Sequence, residues 1–200
     1  MFRSLQALTT IVVSTVTIAG FAASASADND GNTVVYEVAV TNLTKGQVFS
    51  PPVLVTHTTD AAIFAPGEPA SPELVSVAEN GMGQPLADLL AGLPQVFEAI
   101  ATAQPIPPLA PPEEGVSFEI HSRGRFDRLS MVSMLVNTND AFLALDTVAL
   151  PRGRGASHTY YAIAYDAGSE ANNEGCTYVP GPACDINSGN DRDEPGEGVI

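Results

Sequence analysis

The sequence predicts an antiparallel β-sandwich with a small helical insertion. Short runs of β-branched and aromatic residues with a two-residue period recur from Val34 to Tyr165. Turn formers separate them, within a total of 17 Gly and 16 Pro. One stretch, between Ser71 and Ala103, carries helix signals instead. Runs of short strands joined by turns suit two packed sheets. The length of 200 residues fits a single domain.

Val34, Tyr36, Val38 and Val40 share one face, which predicts the first strand of the body. Pro51-Pro52 then marks a strand start or sheet edge, and residues 53–57 resume as strand. Ser71-Pro72-Glu73 opens the clearest helix, with an N-cap hydroxyl, proline in the first turn and an acid near the helix N-terminus. Leu74, Val75, Val77 and Ala78 form its apolar face and Gly81 ends it. Residues 86–90 and 95–103 read as two further helical pieces. Five prolines in residues 105–112 predict an extended connector. Residues 116–121, 128–136, 142–148 and 160–165 read as strands. From Asp166 onward the composition turns to Gly, Asn, Pro and acids, which reads as a long loop region.

The chain has 23 acidic and 8 basic side chains, a formal net charge of -15. That balance argues against a nucleic-acid partner and against electrostatic attachment to anionic lipid, since both need a basic face. It leaves cations, cationic partners and neutral ligands. Residues 1–27 carry Arg3 as their one charge, an apolar run from Ala7 to Ala23, and the small-x-small sequence Ala25-Ser26-Ala27. This is the pattern of a secretory signal peptide cleaved after Ala27. It predicts an exported protein, periplasmic or extracellular, with residues 28–200 as one domain. No later segment is apolar enough to span a bilayer. Export places Cys176 and Cys184 in an oxidising compartment, where a disulfide that staples the loop region is expected.

Asp166 and Glu170 flank Ala167-Gly168, and glycine permits a tight turn that aims both carboxylates at one point. Asn137-Thr138-Asn139-Asp140 is a second oxygen-rich loop at the end of another strand. Calcium takes six to eight such oxygens, so two loops at one sandwich end could form a cage; the alternative is solvated loop charge. Residues 185–193 faintly resemble an acidic calcium loop but lack EF-hand spacing, and read as a solvated loop. His57, His121 and His158 lie on separate strands or strand ends, as packed or surface side chains. Hydrolase, zinc-protease and phosphate-loop motifs are absent, leaving His57 and Asp60 with some serine as a remote hydrolase set. Arg123, Arg125, Arg128, Arg152 and Arg154 are the main basic group. They read either as solvated hairpin ends or as a cationic spot for an acidic glycan or for the protein's own acidic loops.

Taken in order, several segments resemble the spondin domain of animal F-spondin and of exported bacterial proteins. They are Ser50-Pro51-Pro52 through His57, residues 64–71, Ala78-Glu79-Asn80-Gly81, residues 129–140, residues 165–170 and Gly196-Glu197-Gly198-Val199-Ile200. The likeness covers about residues 34 to 200 and is strongest to the bacterial members. It implies a C2-like sandwich that binds Ca2+ through loops at one end, with Asp140, Asp166 and Glu170 as ligands. Two departures stand out: Ala141 follows the first Asp where the animal motif has an aromatic, and Glu170 replaces an Asp. Bacterial members continue past G-E-G-V-I, so the resemblance also implies either a chain truncated at its C-terminus or a shortened final strand. The resulting expectation is a calcium-binding module that acts in binding or adhesion, not an enzyme, whose partner is a cell-surface or extracellular protein or glycan. The rival expectation is an envelope or matrix structural protein with an architectural metal site.

Overall fold

The computed structural model describes residues 33–108, 115–173, 176, 179–180, 184 and 195–200, together with the backbone of 14–21. The strands are β1 (Ser14–Phe21), β2 (Val34–Asn42), β3 (Val53–His57), β4 (Val96–Ala101), β5 (Val116–Ser122), β6 (Arg128–Met134), β7 (Ala141–Ala149) and β8 (Ser157–Asp166). Two helices, α1 (Pro72–Asn80) and α2 (Gln84–Ala91), lie between β3 and β4. The strand order is β4-β3-β6-β7-β8-β1-β2-β5, and every neighbouring pair is antiparallel. The protein is thus all-β with a small helical insertion, as the sequence predicts.

The sheet folds over at β8. Residues 163–166 pair with β7, whereas 157–162 pair with β1, so one strand passes from one layer into the other. Val38, Val40 and Ile120 from β2 and β5 pack against Leu54, Leu129, Met131, Leu143 and Leu145 of the facing layer. The opposite face of that layer is covered as well. Val53, Val55, Val132, Phe142 and Ala144 bury against Leu74 and Val77 of α1 and Leu86 and Leu90 of α2. Strands covered on both faces read as continuous apolar runs, which is why Val53-Leu54-Val55 shows no alternation. Helix α1 is fixed by its ends. The Ser71 hydroxyl accepts from the Leu74 N–H at 3.2 Å, and Gly81 takes a left-handed conformation (φ 66). Gly81 N–H then donates to Val77 O at 2.8 Å and Met82 N–H to Ser76 O at 3.1 Å, which satisfies the last carbonyls.

One segment departs from the sequence reading. Residues 95–103, expected as helix, contain β4, which pairs with the free edge of β3. The register shifts between Thr56 and His57, which leaves Phe97 as an extra residue on β4. That bulge breaks the two-residue period: Val96 packs on the same side as Ala99, a helix-like spacing, while Ile100 packs on the other. Only the beginning of the proline connector is described, where Ile106 bridges Phe49. The cleavage sequence Ala25-Ser26-Ala27 and the acidic loop 185–193 lie outside the described residues.

Residues 14–21, inside the segment read as a leader, form β1, the strand between β8 and β2. Without them the facing backbone edges of β2 and β8 lose their partner. At the other end of the strand order, side chains of β4 and β3 meet β5: Glu98 bonds His121, and the Thr56 hydroxyl donates to His121 O at 2.7 Å. No helix among the described residues is long and apolar enough to cross a membrane. Cys176 and Cys184 are disulfide-bonded, with Cα atoms 5.2 Å apart, as expected.

Candidate functional site

The β6–β7 turn and the segment after β8 meet at one end of the sandwich. The turn closes on Thr138, whose N–H and hydroxyl both donate to Leu135 O, at 3.0 and 2.6 Å. This aims Asp140 at the neighbouring segment. Asp140 is 1 % exposed, and its Oδ2 accepts from Ser169 N at 2.8 Å, Glu170 N at 2.9 Å and Ser169 Oγ at 3.2 Å. Its backbone carbonyl accepts from Ala167 N at 3.1 Å. Asn139 Nδ2 adds a bond to Ala171 O at 3.1 Å. The loops are therefore stitched together by the residues that the sequence singles out.

Asp166 closes its own turn. Its Oδ1 accepts from Gly168 N at 2.7 Å and its Oδ2 from Asn172 Nδ2 at 2.8 Å. Glycine is required at 168 for two reasons. Its φ is 67, and a Cβ there would run into the backbone of Val199. Residues 196–200 are laid across this turn: Gly198 N donates to Gly168 O at 2.8 Å, and Gly67 N donates to Ile200 O at 2.8 Å. Three of the separated motifs, around Gly67, Gly168 and Gly198, thus become neighbours.

A cavity of about 420 Å³ opens beside this seam. Asn137, Thr138, Asn139, Asp140 and Asn172 line it, with Cys184 of the disulfide on its wall. The Oδ1 of Asn137 is buried and has no hydrogen-bond partner among the described residues. Burial raises the pKa of Asp140 above the ordinary carboxylate value; the Glu170 and Ser169 bonds oppose this and the charge of Asp166 adds to it. Asp140 and the orphaned Asn137 amide oxygen are hard-oxygen donors of the kind calcium takes, and Asp166 is close enough to act on Asp140 through its charge without lining the cavity.

The three expected ligands do not contribute equally. Asp140 lines the cavity, Asp166 reaches it through Asn172, and Glu170, 3 % exposed, meets Asp140 through its backbone N–H. Among the described residues, no group of three or more His, Cys, Asp or Glu side chains stands close enough to hold a metal ion. The cavity thus offers one carboxylate, from Asp140, with the Asn137 amide oxygen beside it, not a carboxylate triad. Asn137 has a sequence signal in the oxygen-rich run before Asp140. Asn172 has none, because only the fold brings it to Asp166.

The histidines occupy separate places. His57 is buried: its Nδ1–H donates to Thr58 O at 2.7 Å and its Nε2 accepts from Ser130 Oγ at 2.8 Å. Asp60 is exposed and bonded by Thr59, so it does not orient His57. His121 bonds Glu98, and His158 bonds Tyr160. No family model matches the chain, and no curated protein matches it.

Proposed function

We propose that the protein is an exported spondin-type sandwich that binds Ca2+ between the 137–140 and 166–172 loops and acts as a binding or adhesion module at the cell surface or in the extracellular matrix. The observation that carries this reading is the unpaired, buried Oδ1 of Asn137 in a cavity shared with Asp140. A buried acceptor without a donor destabilises the fold unless water or a cation satisfies it. Asp140 and Asn137 would hold the ion from the β6–β7 turn. Asp166 and Glu170, on the facing segment, are the carboxylates that a closer approach of the two loops would add. A bound cation would also offset the repulsion between Asp140 and Asp166.

A structural role is supported by a different observation. Asp140 Oδ2 already caps the amides of Ser169 and Glu170, so the carboxylate holds the loops together by itself. Asn137→Ala separates the two readings. In EDTA its melting temperature should equal or exceed that of the parent, because an unsatisfied buried group is gone. Calcium should raise the parent's melting temperature, and the variant should bind calcium about tenfold more weakly by calorimetry. Absence of binding heat and of any calcium-dependent melting shift in the parent would sink the metal site and leave the architectural role.

A further inference from the structure

The opposite end of the sandwich gathers positive charge. The β5–β6 turn carries Arg123 and Arg125, with Arg128 at the start of β6, and the β7–β8 turn carries Arg152 and Arg154. These are five of the chain's 8 basic residues, in a molecule of net charge -15. The two turns and the start of β2 enclose a cavity of about 370 Å³, lined by Tyr36, Arg123, Phe126, Asp127, Arg152 and Arg154 among others. That volume is within the range, about 300–1,000 Å³, of small-ligand sites. β6 and β7 run between this end and the candidate cation site, and a seven-residue strand separates them by about 20 Å.

The single acid in the lining is already neutralised. Asp127 Oδ2 lies 2.6 Å from Arg152 Nη2, and its Oδ1 lies 3.6 Å from Arg128 Nε. Arg154 is exposed and makes no ion pair or hydrogen bond among the described residues. Arg123 and Arg125 lie over the rings of Phe97 and Phe126, at 5.3 and 5.2 Å, which holds their guanidinium groups beside aromatic surface. Tyr36 keeps its phenolic proton, since burial, then Asp127, raise its pKa against the opposing charge of Arg152. The pocket thus offers guanidinium forks for a carboxylate, a phenol O–H for a hydroxyl, and aromatic faces for an apolar ring surface.

We infer that this pocket binds an acidic saccharide, a sugar ring bearing a carboxylate. Arg154 would take the carboxylate, Tyr36 a ring hydroxyl, and Phe126 the C–H face of the sugar. In an acidic protein such a ligand is attracted where basic side chains gather, and five of the chain's 8 lie on or beside these two turns. The inference rests on the exported-module reading only for where the sugar is met. The pocket itself uses no calcium.

The test is titration of the full chain, in EDTA, with an oligomer of galacturonate, an oligomer of galactose of the same length, and oligoglutamate. Galacturonate should bind, with affinity that falls as salt rises, and the neutral sugar and the acidic peptide should not. Arg154→Glu should weaken galacturonate about tenfold with an unchanged melting temperature. Asp127→Asn, which releases Arg152, should strengthen it. Equal binding of the neutral sugar or the peptide, retention of affinity in Arg154→Glu, or loss of binding in EDTA would each overturn the inference. Failure of the calcium reading alone would leave galacturonate binding intact, so the two readings fail separately.

Discussion

His57 shows how a single buried side chain is made consistent with its surroundings. The register of β6 against β7 shifts between Leu129 and Met131, and Thr147 adopts a positive φ of 49. This bulge removes Thr147 N–H from the ladder, and the Ser130 hydroxyl accepts it at 2.8 Å. The same hydroxyl donates to His57 Nε2, so neutral His57 with its proton on Nδ1 completes the chain of bonds. Burial lowers the pKa of His57 below the ordinary 6.5; the Thr58 carbonyl and Asp146 oppose this, and Arg128 assists. The unfolded chain then binds the proton more readily than the folded one. This contribution to stability is complete above about pH 6.5 and is lost as pH falls through 6.5 toward the lowered value. Melting temperatures between pH 8 and pH 5 should decline, and the decline should be shallower in His57→Gln, whose absolute stability is lower. A parallel decline in both proteins would remove His57 as its source.

At the scale of elements, short segments are held by contacts that their own sequences do not announce. Residues 196–200 lie between the 67–68 loop and the turn after β8, with Gly196 N on Ser169 O at 3.4 Å and Ile200 N on Glu68 O at 3.0 Å. Gly168 is the tightest point, where the backbone of Val199 occupies the space of a Cβ. Gly168→Ala therefore has to displace the strap as well as adopt a left-handed conformation. It should cost about 2 kcal/mol or more, a fall of about 5 °C in melting temperature. Its calcium affinity should fall with it, since the same turn presents Ser169 and Glu170 to Asp140. An unchanged melting curve would show that the strap yields without cost. The α1 boundaries were legible from Ser71, Pro72 and Gly81, because caps are local chemistry. β4 was not, because a strand with a bulge is defined by its partner's edge.

At the scale of the molecule, β1 places residues of the segment read as a leader inside the sheet. Residues 14–21 pair along eight positions with β2 and along six with β8, while the same residues carry the features of a leader. A chain that begins at Asp28 would present two antiparallel edges to water, a costly exposure for a sheet. Residues 28–200 should therefore melt at a lower temperature than the full chain. A synthetic peptide of residues 14–21 added in trans should raise that temperature and protect the amides of β2 and β8 from hydrogen exchange. Equal melting of the two chains, with no protection by the peptide, would show that this position adds nothing to stability.

The sequence by itself determined the fold class, most strand positions, the ends of α1 and the disulfide pair. These depend on side-chain period, capping chemistry and the spacing of two cysteines. It also marked Asp140 and the turn from Asp166 to Glu170 as belonging to one end of a sandwich. Tertiary structure decided what those residues meet. Asp140 spends its Oδ2 on the amides of Ser169 and Glu170, Asn172 reaches Asp166, and Asn137 is left without a donor beside a cavity. It likewise brought arginines from two hairpin turns around Tyr36. Such contacts join residues far apart in the chain, and no local pattern encodes them, because they arise only when separate strands are laid in register.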